Sequence, residues 1–274
     1  MTALEDSPCR HGASARSWIA DLLAFDRAGD RFTAPRVTTG PSARLFGGLI
    51  AAQALGAAGA TVSPEKLPQS LHAYFVRAGK YGVDVELQVE RTRDGRSFDT
   101  RRVTAIQQDK VILEMIASFH RPEPGTDWYP PRPPTLSVED ATPKSPDLED
   151  VERFDVRTRE DDDSPFVIPP FWIRFRDPIE DDPLIRACAL TYMSDLGPVP
   201  AARPAGAPVA PGPGVAASLD HSVWFHRPFV PNTWHRYEVD GVNNSDARGL
   251  ARGSLYDDAG VLVASTTQEA LWRV

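Results

Sequence analysis

The chain has 274 residues, which at about 150 residues per domain anticipates just under two domains. Thirty Lys and Arg against 38 Asp and Glu leave a net charge of −8, a poor match for a nucleic-acid binder, whose phosphate contacts need a basic face. Forty-one per cent hydrophobic and 25% charged residues describe an ordinary globular chain with enough apolar material for a sizeable core. The N-terminal run MTALEDSPCRHGASARSW has acidic residues where a signal peptide would have a basic start and an apolar core. Ser17–Phe25 then has helical spacing at Trp18, Ile19, Leu22 and Leu23, with Ser14 or Ser17 as its cap. Phe46–Ala60 follows a Gly-Gly start and is rich in Ala and Leu, so a buried central helix is expected. The apolar stretch around it, Leu45–Thr61, is too short and too Gly-rich to span a membrane.

Four strands are expected next: Ser70–Val76, Val83–Arg91, Ser97–Gln107 and Val111–His120. VDVELQV alternates with period two, and the turn signals Ala78-Gly79, Arg93–Arg96 and Gln108-Asp109 separate the strands. Prolines crowd 122–146, which with the acidic run Asp147–Asp163 is expected to be a linker; Trp128 and Tyr129 suit packing across a surface. A strand at Phe171–Arg176 and a helix at Pro183–Met193 follow. After a Pro-rich loop over 198–213 come strands at Leu219–Phe225, Trp234–Val242, Ala247–Tyr256 and Val261–Leu271. The C-terminal LWRV is neither a prenylation box nor a peroxisomal tripeptide. These features lead to the expectation of a cytoplasmic protein with no membrane partner.

The element order occurs twice. Residues 68–119 slide onto 218–269 at a constant offset of 150, Phe75 meeting Phe225, Arg77 meeting Arg227 and Tyr74 meeting Trp224. Chance would give nearly as many identities, so the coincidence of element order and turns carries the reading of one α+β fold duplicated. The division is 1–121, a Pro-rich acidic linker 122–165, and 166–274. Cys9 and Cys188 cannot build a disulfide scaffold or a zinc site, and the six histidines show no HxxxH or HExxH spacing. No metal and no cofactor are expected.

Leu45-Phe46-Gly47-Gly48 with Gln53-Ala54, HAYFVRAG (72–79), RDGRSFDTRRV (93–103), DHSVWFHRPF (220–229) and STTQEALWR (265–273) together resemble the acyl-CoA thioesterase II family. The resemblance spans the chain outside the N-terminal tail and the linker. It implies a tandem (double) hot-dog fold, two antiparallel sheets each wrapped around a central helix. It also implies an acyl-CoA substrate, hydrolysis to free fatty acid and CoA without a cofactor, and a homo-oligomer, a dimer or dimer of dimers.

The family's water-holding set falls on Asp195 in TYMSDLG, Ser218 in ASLDHS, where many relatives carry Thr, and Gln268 in STTQEA. The matching first-half positions, Ala60, Pro68 and Ser118, cannot replace it, so one live site is expected. The residue types suit the chemistry: a carboxylate can accept a proton from water while a hydroxyl and an amide orient it. Phe46, Gly47 and Gly48 are expected to bind substrate, the backbone N–H groups of the helix start being candidates for the oxyanion. No GxSxG elbow is present, which weighs against an acyl-enzyme.

Each of these residues also has an ordinary reading: Asp195 as a turn residue, Ser218 as a loop serine, Gln268 on a solvent face, Gly47-Gly48 as a packing contact. His221 and His226 read as satisfied structural histidines, and Asp161–Asp163 as a solvated surface. Arg77 and Arg227 leave both a structural ion pair and a CoA-phosphate contact open. A hydratase on the same fold would need an Asp/His motif that is not found. A non-catalytic acyl-CoA-binding or regulatory protein is the alternative. It would separate from the enzyme by whether Asp195, Ser218 and Gln268 converge.

Overall fold

A computed structural model describes residues 16–40, 44–145, 151–159, 168–207 and 215–273. Cys9 and the acidic triplet 161–163 lie outside them. The helices are α1 (Trp18–Leu22), α2 (Gly47–Gly59), α3 (Pro183–Ser194) and α4 (Pro198–Ala201). The strands are β1 (Asp26–Ala28), β2 (Arg31–Ala34), β3 (Leu67–Phe75), β4 (Val85–Asp94), β5 (Phe98–Gln107), β6 (Lys110–His120), β7 (Thr142–Lys144), β8 (Phe154–Thr158) and β9 (Phe171–Phe175). They continue as β10 (Val215–Ser218), β11 (Asp220–Phe225), β12 (His235–Ser245), β13 (Arg248–Asp257) and β14 (Leu262–Arg273). No described helix is long and apolar enough to cross a membrane.

Among the described residues, fourteen strands form one continuous antiparallel sheet, joined through β3 and β11 where the resemblance implied two sheets, in the order β1-β2-β4-β5-β6-β3-β11-β14-β13-β12-β9-β8-β7, with β10 beside β14. β3 and β11 join the two halves, and His72 pairs with Ser222, its own counterpart at an offset of 150. Around that pair the halves mirror one another: β2-β4-β5-β6-β3 on one side, β9-β12-β13-β14-β11 on the other. Even a bulge repeats, between Arg91 and Arg93 in one half and between Gly241 and Asn243 in the other.

The last hairpins depart from the constant offset. Gln107 pairs with Lys110 across a two-residue turn, Gln108 and Asp109 both at positive φ. The second turn holds three residues, closed by Asp257 N–H on the Val261 carbonyl, with Gly260 at φ +81°. One extra residue shifts β14 to an offset of 151 against β6. His72 pairs with Ile116 where Ser222 pairs with Thr267. The first-half counterpart of Gln268 is therefore Ala117, not Ser118.

α2 is buried almost all round, Gly48 to Ala58, against the first half-sheet, with Leu49, Ile50 and Leu55 in the core. Its Ala and Gly stripe admits α3 alongside, antiparallel: the α2 start lies against Tyr192 and Asp195, its end against Leu184. α1 is capped by Ser17, whose Oγ accepts the Ala20 N–H. It docks on the other half through Glu180, which accepts the Ser17 N–H at 2.9 Å, and through Trp18 on Tyr192, ring centres 4.9 Å apart.

Three regions differ from the sequence expectation. β1 and β2 form at the first-half edge, where Phe32 and Ala34 alternate inward. The expected linker contributes β7 and β8, because Phe154-Asp155-Val156-Arg157-Thr158 alternates and buries every second side chain. The Pro-rich loop opens with the single turn α4, prolines being tolerated in a helix's first turn. The described linker residues before β7 are held on the second half by Trp172 Nε1–H on the Leu136 carbonyl and Arg236 on the Arg132 carbonyl. Tyr129 packs there on Arg227, but Trp128, expected to pack as well, is 75% exposed.

Candidate active site

Asp195 is the C-cap of α3, Ser218 ends β10, and Gln268 lies in the middle of β14. The antiparallel packing of α3 on α2 and the one-residue register change along β14 between Ser218 (opposite Ala270) and Ser222 (opposite Thr267) bring the three together. Gln268 Nε2–H donates to Ser218 Oγ at 2.8 Å, and Ser218 Oγ–H donates to Asp195 Oδ1 at 3.3 Å. Asp195 is 7% exposed and Gln268 1%. Gln268 Oε1 is buried with no hydrogen-bond partner, an acceptor that a bound water would satisfy.

Opposite Asp195 stands the start of α2. Phe46 is its N-cap without a side-chain cap bond, so the first backbone N–H groups are left for a ligand or a carboxylate, at the positive end of the helix dipole. A Cβ on Gly47 would stand 2.6 Å from Asp195 Oδ2, and one on Gly48 2.4 Å from the Tyr192 carbonyl. Only glycine lets the helix start and the carboxylate approach so closely. The Phe46 ring meets Tyr192 edge-on at 5.0 Å. All three expected substrate-binding positions are therefore at the site: Phe46 and Gly47 line its pocket with Asp195, and Gly48 sits one residue inside the helix.

Burial pushes the Asp195 carboxyl up to about 7; Gln268, the Gly48 backbone N–H and Ser218 favour the anion without offsetting desolvation. The carboxylate is thus poised near neutrality, as a general base requires. Its turn is locked from behind. Tyr237 Oη–H donates to the Ser194 carbonyl at 2.8 Å, and Ser194 Oγ meets His221 Nε2 at 2.8 Å. His221 is fully buried and desolvation drives its pKa down to about 4, so it stays neutral. The sequence reading of a satisfied histidine holds for Nε2 alone, since Nδ1 is buried without a hydrogen-bond partner among the described residues. Tyr237 was not legible as a site residue; an aromatic in an alternating strand signals core. The Cys188 thiol is buried in α3 and pushed far up by desolvation, which leaves it inert.

The pocket beside Asp195 is about 430 Å³ and is lined by Leu45, Phe46, Ile50, Phe75, Val199 and Ser218 among others. Its mirror image in the second half has the same volume, lined by Pro68, Pro183, Ala187, Phe225 and Phe229 among others. There Ala60 caps α2 where Asp195 caps α3. Pro183 opens the helix without an N–H, and Asp182 Oδ1 takes the Ile185 N–H at 2.9 Å. One pocket is lined by Asp195 and Ser218, with Gln268 hydrogen-bonded to Ser218, and the other by none of the three. Among the described residues no group of three or more His, Cys, Asp or Glu could hold a metal ion.

The acyl-CoA thioesterase N-terminal domain matches residues 35–120 and the C-terminal domain residues 130–272. The chain belongs to the acyl-CoA thioesterase family. Acyl-CoA thioesterase 2 of Haemophilus influenzae is 32% identical over 257 residues, 84% of this chain and 88% of that protein. The solved structure of acyl-CoA thioesterase II TesB2 from Mycobacterium marinum is 34% identical. Its alignment covers 93% of this chain and 98% of that one, with a TM-score of 0.81. A hot-dog protein from Alicyclobacillus acidocaldarius, 18% identical, shares the fold over 93% of this chain and 98% of its own, with a TM-score of 0.71.

Proposed function

We propose that this chain hydrolyses acyl-CoA to a free carboxylic acid and CoA, with a water activated by Asp195 and oriented by Ser218 and Gln268. The observation that carries the reading is the convergence of these three side chains, hydrogen-bonded in series, opposite an uncapped helix start. Family membership and the names of the relatives supply the substrate class. A non-catalytic binder would have no need of a buried carboxylate poised near pH 7.

In this mechanism the thioester carbonyl lies against the start of α2 and the water sits between Asp195 and Gln268 Oε1. Asp195 takes a proton as the water oxygen attacks the carbonyl carbon. The carbonyl electrons move to oxygen, and backbone N–H groups of the α2 start stabilise the oxyanion. When the carbonyl re-forms, the C–S bond breaks, and the thiolate recovers the proton from Asp195 as the CoA thiol. Ser218 needs no nucleophilic role, because its hydroxyl is committed between Gln268 and Asp195.

We read the fold as a tandem hot-dog, with the division near 121 and 166 and with β7 and β8 serving the second unit as edge strands. Free-thiol release should be measured across acyl-CoAs from short to long chains. Hydrolysis of a contiguous range of chain lengths is expected. A folded protein that releases thiol from none of them contradicts the proposal.

A further inference from the structure

The two mirror-image pockets differ in charge as well as in chemistry. Arg77 and Arg227 are counterparts and share an anchor. Arg77 Nη1–H donates to the Val111 carbonyl at 2.9 Å, Arg227 Nη1–H to the Leu262 carbonyl. Beyond that anchor they part. Arg227 in the second pocket is paired by Asp127 of the linker and covered by the Tyr129 ring, 4.5 Å from its guanidinium carbon. Its neighbour Arg186 pairs with Asp181 at 3.0 Å, and Glu123 lines the same pocket. Every arginine of the second pocket thus faces a carboxylate.

In the first pocket Arg77 is exposed and meets no carboxylate among the described residues, and Arg44 lines the same mouth. The only acid among the lining residues is the buried Asp195. In a chain of net charge −8, an arginine with no acid partner among the described residues stands out at the entrance of the pocket lined by Asp195 and Ser218. The linker leaves the second half of the molecule with its arginine quenched and the first half with its arginine available. An anchored guanidinium with its remaining N–H groups facing solvent suits a phosphate or pyrophosphate.

We propose that Arg77 is the recognition point for the phosphates of the CoA moiety, holding the nucleotide end at the pocket mouth while the pantetheine arm carries the thioester inward to Asp195. This rests on the acyl-CoA reading of the site, deepens it, and is testable apart from hydrolysis. Arg227 occupies the equivalent place but is spent on the linker.

The test is calorimetric binding of CoA and of pantetheine to the full chain and to Arg77→Gln, Arg77→Lys and Arg227→Gln. Arg77→Gln should weaken CoA about tenfold, in line with losing a charge-assisted contact at a partly exposed site, and leave pantetheine unaffected. Arg77→Lys should recover part of the loss, and Arg227→Gln should bind like the parent. Raising salt should weaken CoA binding in the parent more than in Arg77→Gln. In thiol-release assays Arg77→Gln should raise KM for acyl-CoA with kcat kept, and leave kcat/KM for the matching N-acetylcysteamine thioester unchanged. CoA binding unchanged by Arg77→Gln overturns the proposal whether or not the chain hydrolyses thioesters; so does an equal loss on CoA and pantetheine. Absence of hydrolysis with the CoA effect intact would instead count against the proposed activity alone. Unchanged melting temperatures separate these outcomes from misfolding.

Discussion

At the residue scale, Asp195 links function to stability through one titration. Its carboxyl is held at about 7 against an ordinary 3.8, chiefly by burial. Below pH 4 it is protonated in both folded and unfolded chains and costs nothing. Between pH 4 and 7 the unfolded chain ionises first, and above 7 the folded state carries the full penalty, about 4 kcal/mol at most. Asp195→Asn should therefore melt higher than the parent at pH 8, with the gap closing toward pH 4. In the parent, log kcat/KM should climb with pH and level off near 7, since only the ionised carboxylate can accept the proton. A flat profile between pH 5 and 8 would contradict a base of that pKa. The residues that converge at α3's end were legible through their motifs, but this electrostatics was not. It arises from the meeting of α3's end with α2's start, far apart in sequence.

At the scale of elements, the α2 start is the tightest junction in the site. Gly48→Ala would drive a methyl group to 2.4 Å from the Tyr192 backbone carbonyl, and Gly47→Ala to 2.6 Å from Asp195 Oδ2. The first neighbour is main chain in a packed helix and cannot yield cheaply. Gly48→Ala should lower the melting temperature, with a loss of roughly 1–3 kcal/mol typical of overpacking. Gly47→Ala should cost turnover more than stability, because the carboxylate can shift. Equal melting temperatures for the parent and Gly48→Ala would show the junction to be looser than described. The Gly-Gly start was readable as the opening of a buried helix; that the second glycine faces a carbonyl of the other half was not. The strand β8 was within reach, since Phe154 and Val156 alternate with Asp155 and Arg157. Its setting amid prolines and acids hid the period. The one-residue slip that moves the counterpart of Gln268 to Ala117 was hidden for a different reason. Turn length changes the register without changing the pattern of the strands.

At the scale of the whole molecule, the sheet's two halves meet at β3 and β11, and large apolar side chains stand exposed on the outer face there. Tyr74, Ile116 and Trp224 are 56%, 57% and 40% exposed, and His72 stacks on Tyr74. Tyr74 and Trp224 are counterparts, one on each side of the central His72–Ser222 pair. A self-complementary patch of that kind suits association of copies about a twofold axis. Light scattering should give a multiple of 30.1 kDa, and Trp224→Glu should shift it toward the monomer without unfolding. A parent protein that is monomeric at micromolar concentration would remove the proposed self-association, though not the site, whose polar residues all come from one chain.

The mechanism turns on Asp195 as the base for a water held by Ser218 and Gln268. The most direct measurement is thiol release by Asp195→Asn beside its calorimetric affinity for acyl-CoA. The shape of the side chain is kept and the accepting charge removed, so turnover should fall about 10²–10⁴-fold while acyl-CoA binding and folding persist. A folded Asp195→Asn protein that binds acyl-CoA and hydrolyses it at the parent rate would contradict it.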